Sequence, residues 1–178
     1  TAMLIWSVVL LVLSLFLVGA VLSILASRQD SPAFGFSISS PVDLLIGLGG
    51  ILLVTVVMVV VHEGLHGLVF WRITRERPRF AFKWYYASAS AGDWYLPRLP
   101  YLAATLLPLI AITTVGLALL PFTFGFARIL LILLVVFNAS GCAGDAVVAW
   151  RLYRLPPGTL SFDTGSEVQF YSPVQDVG

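Results

Sequence analysis

The stretch VVVHEGLHGLVFW, from Val59 to Trp71, sets two histidines and a glutamate in an apolar run where eight of thirteen residues are plainly hydrophobic. His62 and His66 are four apart, so on a helix they share one face and can reach a single metal ion. Glu63 follows about 100° further round, at 3.6 residues per turn, beside such an ion rather than under it. That is where a general base must stand to take a proton from the water the metal activates. The pattern is H-E-x-x-H, and it contains both histidines of the chain. An ionisable group inside a membrane helix costs about 2.5–3.5 kcal/mol on insertion scales. Three in five residues therefore need a compensating partner. A metal ion is one; a polar cluster hydrogen-bonded between helices is the other. Gly64 and Gly67 leave space for a neighbouring helix or a substrate.

A catalytic zinc takes three protein ligands and keeps a fourth position for water. Asp43, Asp145 and Cys142 are the candidates for the third. Asp43 precedes His62 by nineteen residues, about 28 Å along a helix, and is out of reach. Asp145 lies six residues before Arg151, as His66 lies six before Arg72. If those arginines mark the same interface, both groups sit about 9 Å below it. Gly141 and Gly144 permit close helix packing there. Asp145 is thus the expected third ligand; the alternative is a helix-end charge that reaches water. Cys142 reads better as a small packing residue than as a thiolate ligand. Asn138, two turns before Asp145, is suited to contact a substrate backbone or polarise a scissile carbonyl. An interhelical hydrogen bond suits it equally.

The elements that must carry these residues are apolar. Of 178 residues, 59% are hydrophobic and 11% charged, against about 25% charged in a soluble domain. Lipid must be the main solvent. Four segments approach or exceed the roughly 20 residues a spanning helix needs: residues 3–26, 42–71, 101–120 and 126–150, with a tail over 151–178. The fold expected is an all-α integral membrane protein of four transmembrane helices, organised as one domain over residues 1–178. Pro108 is expected to kink the third helix. The first is too long and lacks the basic start of a signal peptide, so it reads as retained. A net charge of +1 gives no case for nucleic-acid binding. One cysteine excludes an internal disulfide and a cysteine-rich zinc site.

Arg72, Arg75, Arg77, Arg79, Lys83 and Arg98 crowd the loop between helices 2 and 3, and Arg151 and Arg154 follow helix 4. The opposite side holds Arg28 and Arg128. The positive-inside rule then puts that loop and both termini in the cytoplasm. Within the loop, Phe80 to Ala87 alternates with period two and suggests a strand, with a turn at Ala91-Gly92-Asp93 and a return through Trp94-Tyr95-Leu96. A short cytoplasmic β-hairpin between helices 2 and 3 is one reading; an interfacial aromatic belt is the other. In the tail, Asp163-Thr164-Gly165 matches the signature of retroviral-type aspartic proteases, but nothing here supplies the second lobe and paired aspartate of that fold. It reads instead as a turn between Leu160–Phe162 and Val168–Tyr171.

HEGLHGL in one membrane helix and NASGCAGDAVVAWRLYRLP in a later one resemble the family of small membrane proteins described as "putative zincin peptidases". That family is similar in plan to the site-2 proteases, the intramembrane zinc metalloproteases. The resemblance extends over about Val42 to Tyr171. It implies zinc as the cofactor, His62 and His66 as ligands, Glu63 as the base, Asp145 as third ligand and Asn138 as its upstream partner. The chain departs from the site-2 pattern in two ways: no proline stands between Asn138 and Asp145, and Gly144 precedes the aspartate instead of following it. The resemblance also implies that a strand near the site holds substrate by strand addition, with Phe80–Ala87 as the candidate.

The function these readings imply is hydrolysis of peptide bonds near the cytoplasmic face of the cell membrane of a prokaryote. The substrates would be membrane-anchored or unfolded segments, and lipid the surrounding partner. The alternative is a metal-binding membrane protein without hydrolysis, such as a sensor, a transporter subunit or a chaperone-like factor. Glu63 separates the two, because a site that only holds or moves a metal needs no carboxylate beside the water.

Overall fold

The computed structural model describes residues 2–27, 37–83 and 86–173, with backbone alone at Tyr86. Of the residues used above, Arg28, Trp84, Tyr85 and the final 174–178 of the tail lie outside them. The chain is mostly helical with two small sheets: α1 (Ala2–Ser27), α2 (Pro41–Thr74), β1 (Arg79–Lys83), β2 (Tyr86–Ser90), β3 (Tyr95–Pro97), α3 (Arg98–Leu119), a 3-10 turn (Leu120–Phe122), α4 (Gly125–Gly141), α5 (Ala143–Tyr153), β4 (Leu160–Asp163) and β5 (Val168–Tyr171). Among the described residues, three helices are long and apolar enough to cross a membrane: α1, α2, and α3 with its 3-10 turn. The count rises to four if α4 and α5 are taken as one broken span. The continuous fourth helix expected over 126–150 is not formed. The chain leaves helical geometry at Cys142, whose ψ is 9°, next to Gly141, a residue with low helix propensity.

Contacts divide the chain into two compact units, residues 1–60 with 109–143 and residues 61–108 with 144–178. In the first, α1 packs along α4, and Ser7 Oγ donates to the Ser140 carbonyl at 3.1 Å. Gly116 is required there, since a Cβ would clash with Val135 Cγ2. Val18, Leu120 and Val135 form the core of this unit. Large apolar side chains such as Phe16 and Leu52 point outward, as helices solvated by lipid require. The α2 N-terminus is closed by Ser40, Pro41 and Asp43: Ser40 Oγ donates to Asp43 Oδ2 at 2.9 Å and accepts from the Asp43 N–H at 3.2 Å. This capping arrangement explains the acidic residue in an apolar segment. Arg128 is buried, with its guanidinium over the Phe124 ring and one N–H donated to the Leu120 carbonyl at 3.2 Å.

The second unit holds both sheets. Strands β1 and β2 pair antiparallel, with Phe80 opposite Ala89 and Ala81 opposite Ser88. The expected single strand Phe80–Ala87 is therefore divided between two strands, and its partner is not Trp94-Tyr95-Leu96. That return segment becomes β3, which pairs with β4 of the tail, Leu96 opposite Ser161. The turn at Gly92 does form, with φ +70°. The tail hairpin is present as expected: β4 pairs with β5, and Asp163 stands opposite Val168. The core of the unit joins Phe70 of α2, Ala89 of β2, Leu96 of β3, Tyr101 and Ala104 of α3, and Leu152 of α5. Gly67 lets β1 lie against α2, since a Cβ there would meet Phe80 Cζ at 2.5 Å. The space expected beside the histidines at Gly67 is thus filled by the hairpin, whereas Gly64 has nothing within 4 Å.

Candidate metal centre

α2 presents His62 and His66 one turn apart, as the i, i+4 spacing requires. Their Nε2 atoms converge at 3.1 Å. Asp145, in the first turn of α5, faces both: Oδ2 is 3.3 Å from His62 Nε2 and Oδ1 is 3.5 Å from His66 Nε2. These three residues form the group of His, Cys, Asp or Glu side chains, among the described residues, that could hold a metal ion. Neither Asp43 nor Cys142 belongs to it. The six-residue match to Arg72 and Arg151 therefore selected the aspartate that meets the histidines.

The donor set fits a zinc ion. Ligand atoms each about 2.0–2.1 Å from a tetrahedral ion stand about 3.3–3.4 Å apart; here the two Nε2 atoms are 3.1 Å apart, and the carboxylate sets one oxygen 3.3 Å from His62 Nε2 and the other 3.5 Å from His66 Nε2. Two imidazoles with one carboxylate suit zinc by donor type. His66 is buried, and its Nδ1 lies 2.9 Å from the Ala104 carbonyl oxygen. Only Nδ1–H can satisfy that oxygen, so in the neutral ring that binds a metal Nε2 carries the lone pair, and Nε2 is turned toward the other two ligands. Such an outer hydrogen bond sets tautomer and ring angle in metal-bound histidines. Asp145 gains further from its position, because a negative side chain in the first turn of a helix is favoured by the exposed N–H groups there.

Glu63 is half-buried and within electrostatic reach of His62, His66 and Asp145. The Ala89 N–H hydrogen-bonds its carboxylate. Ala89 lies on β2, which among the described residues pairs with β1, so the other edge of β2 is turned to Glu63. Asn138 is fully buried on α4 in the first unit. Its carbonyl accepts the Cys142 N–H at 3.0 Å, and the Cys142 thiol lies 3.9 Å from Oδ1. Asn138 thus lies on α4 and Asp145 on α5.

Sequence reasoning passed over two residues beside this centre. The Tyr101 hydroxyl donates to Asp163 Oδ2 at 2.7 Å, and Oδ1 of the same carboxylate accepts the Gly165 N–H at 2.7 Å. Phe70 stacks between His66 and Tyr101, with ring centroids 6.4 and 6.1 Å away. Burial raises the Asp163 carboxyl above its ordinary range against the lowering effect of the Tyr101 and Gly165 donors. The Asp-Thr-Gly motif signalled only a turn; nothing in its spacing pointed at Tyr101, sixty-two residues earlier.

The sequence model of the family described as "Putative zincin peptidase" matches residues 55–160. The match takes in the histidine helix, β1 to β3, α3, α4 and α5, and the chain belongs to this family. No curated protein and no solved structure gives a significant match to the chain.

Proposed function

We propose that the chain is an integral-membrane zinc endopeptidase, similar in plan to the site-2 proteases, which cleaves membrane-anchored or unfolded segments near the cytoplasmic face. The observation that carries this reading is the convergence of His62 Nε2, His66 Nε2 and the Asp145 carboxylate at ligand spacing, with Glu63 next to them on α2. A zinc ion held by these three would polarise the scissile carbonyl and acidify the attacking water. Glu63 takes the proton from that water and passes it to the leaving amine. The Ala89 N–H holds the Glu63 carboxylate at the edge of β2. An extended substrate backbone pairs with that edge and passes the base as it does so. His66 is held in one tautomer by the Ala104 carbonyl. The loop between α2 and α3 and both termini face the cytoplasm, as the arginine distribution supports, and the membrane is the cell membrane of a prokaryote.

Glu63→Gln tests the assignment. The variant is expected to keep its metal and lose about 10²–10⁴-fold in cleavage of a membrane-anchored reporter, the usual contribution of a positioned base. Full biological activity of this variant in the cell, without reporter cleavage, would favour a metal-binding protein that does not hydrolyse peptides.

A further inference from the structure

We infer that Pro108 is a positioning residue of the metal centre: it leaves the Ala104 carbonyl without a helical partner, and that carbonyl then fixes His66 as an Nε2 ligand. The inference rests on the metal site proposed above and deepens it. In an α-helix the carbonyl of residue i accepts the N–H of residue i+4. For Ala104 that residue is Pro108, inside α3. Proline has no N–H, and its ring presses on the carbonyl four residues before it and turns it out of the helical ladder.

The freed oxygen lies where water cannot serve it. Ala104 is 0% exposed, and Pro108 is among the fully buried side chains. A buried carbonyl of this kind must find a donor. The donor is His66 Nδ1, 2.9 Å away and on a different helix. In the neutral ring, once Nδ1 carries the proton, the lone pair is on Nε2, the atom that faces His62 Nε2 and Asp145. A further contact holds α3 at the required rotation. Tyr101, three residues before Ala104 and so on the same face, is tied through its hydroxyl to Asp163 of the tail hairpin. Pro108 touches none of the reacting atoms; it acts through Ala104 on His66. In the sequence the proline signalled a kink, and its partner in the fold could not be read.

Pro108→Ala restores an N–H at residue 108, which competes for the Ala104 oxygen and draws it back into the helix. The full-length protein in detergent is titrated with zinc against a competing chelator. A fall in zinc affinity of about 10–100-fold is expected, the range typical of a lost outer-sphere partner. The thermal midpoint of the metal-free protein should hold or rise, because alanine is the better helix former. An α-hydroxy acid in place of Pro108 lacks both the ring and the N–H; its ester linkage should keep zinc affinity within a few-fold of the wild type. In parallel, 15N spectra of histidine-labelled, metal-free protein should show His66 as the single Nδ1–H tautomer in the wild type and in the ester variant, and as a mixture in Pro108→Ala. Wild-type affinity and tautomer in Pro108→Ala would overturn the inference. So would an ester variant that loses affinity as far as Pro108→Ala, since the ring and not the missing N–H would then be the cause. If the wild type binds no zinc, the metal reading fails, and the tautomer spectra still decide the role of Pro108.

Discussion

Asp145→Ala removes the only charged group among the three converging ligands. In the native arrangement the carboxylate lies 3.3 and 3.5 Å from the two imidazole nitrogens, with its side chain 22% exposed. The loss of an outer partner of a metal ligand costs about 10–100-fold in metal affinity, and a direct, charged ligand stands at the upper end of that range or above it. Zinc affinity should therefore fall by about 10²-fold or more, about 2.8 kcal/mol at about 1.4 kcal/mol per decade. Asp145→Asn retains an oxygen but not the charge, and should fall by about tenfold. The assay is competition against a chelator of known affinity, with metal content measured after dialysis and His62→Ala/His66→Ala as the metal-free reference. The wild type should hold about one zinc per chain, as a single mononuclear site requires. Asp145→Ala that keeps one zinc at wild-type affinity would refute the three-ligand site, however close the side chains stand.

Other expectations follow from the same geometry. Tyr101→Phe deletes a hydrogen bond to a carboxylate and should cost about 1.5–3 kcal/mol near neutral pH, read as a lowered thermal midpoint. The sign with pH has two parts. Burial raises the Asp163 carboxyl from its ordinary 3.8, so its contribution to stability is greatest below that value and is lost as pH rises through the raised one. The Tyr101 donor works the other way, favouring the ionised form, so the penalty of Tyr101→Phe should shrink as the buffer is acidified through the Asp163 titration. A Tyr101→Phe penalty that is equal at acid and neutral pH would show that the hydroxyl does not serve the Asp163 carboxylate. Reporter fusions after Trp71 and at the C-terminus should both read cytoplasmic, and one near Ser37 external; an external C-terminus would reverse the orientation drawn from the arginines.

The sequence by itself carried the local terms. H-E-x-x-H spacing puts His62 and His66 on one helical face in any context, because 3.6 residues per turn is a backbone property. Long apolar runs with few charges read as helices able to cross a membrane, because lipid leaves no other way to satisfy the backbone. Even Asp145 could be picked out, since depth below an interfacial arginine is counted in residues. What spacing could not supply was pairing between distant segments. Period-two alternation in Phe80–Ala87 signalled a strand but not where it turns, and Tyr95–Pro97 joined the tail through contacts more than sixty residues apart in sequence. The break at Cys142 fell inside a segment long enough to be one span, where Asn138, Ser140, Gly141 and Gly144 were the local signals against a continuous helix. The least legible link was Pro108. Its missing N–H is plain in the sequence, but that the orphaned Ala104 carbonyl finds its donor in His66 depends on two helices meeting at 2.9 Å, a distance that only the packed tertiary structure sets.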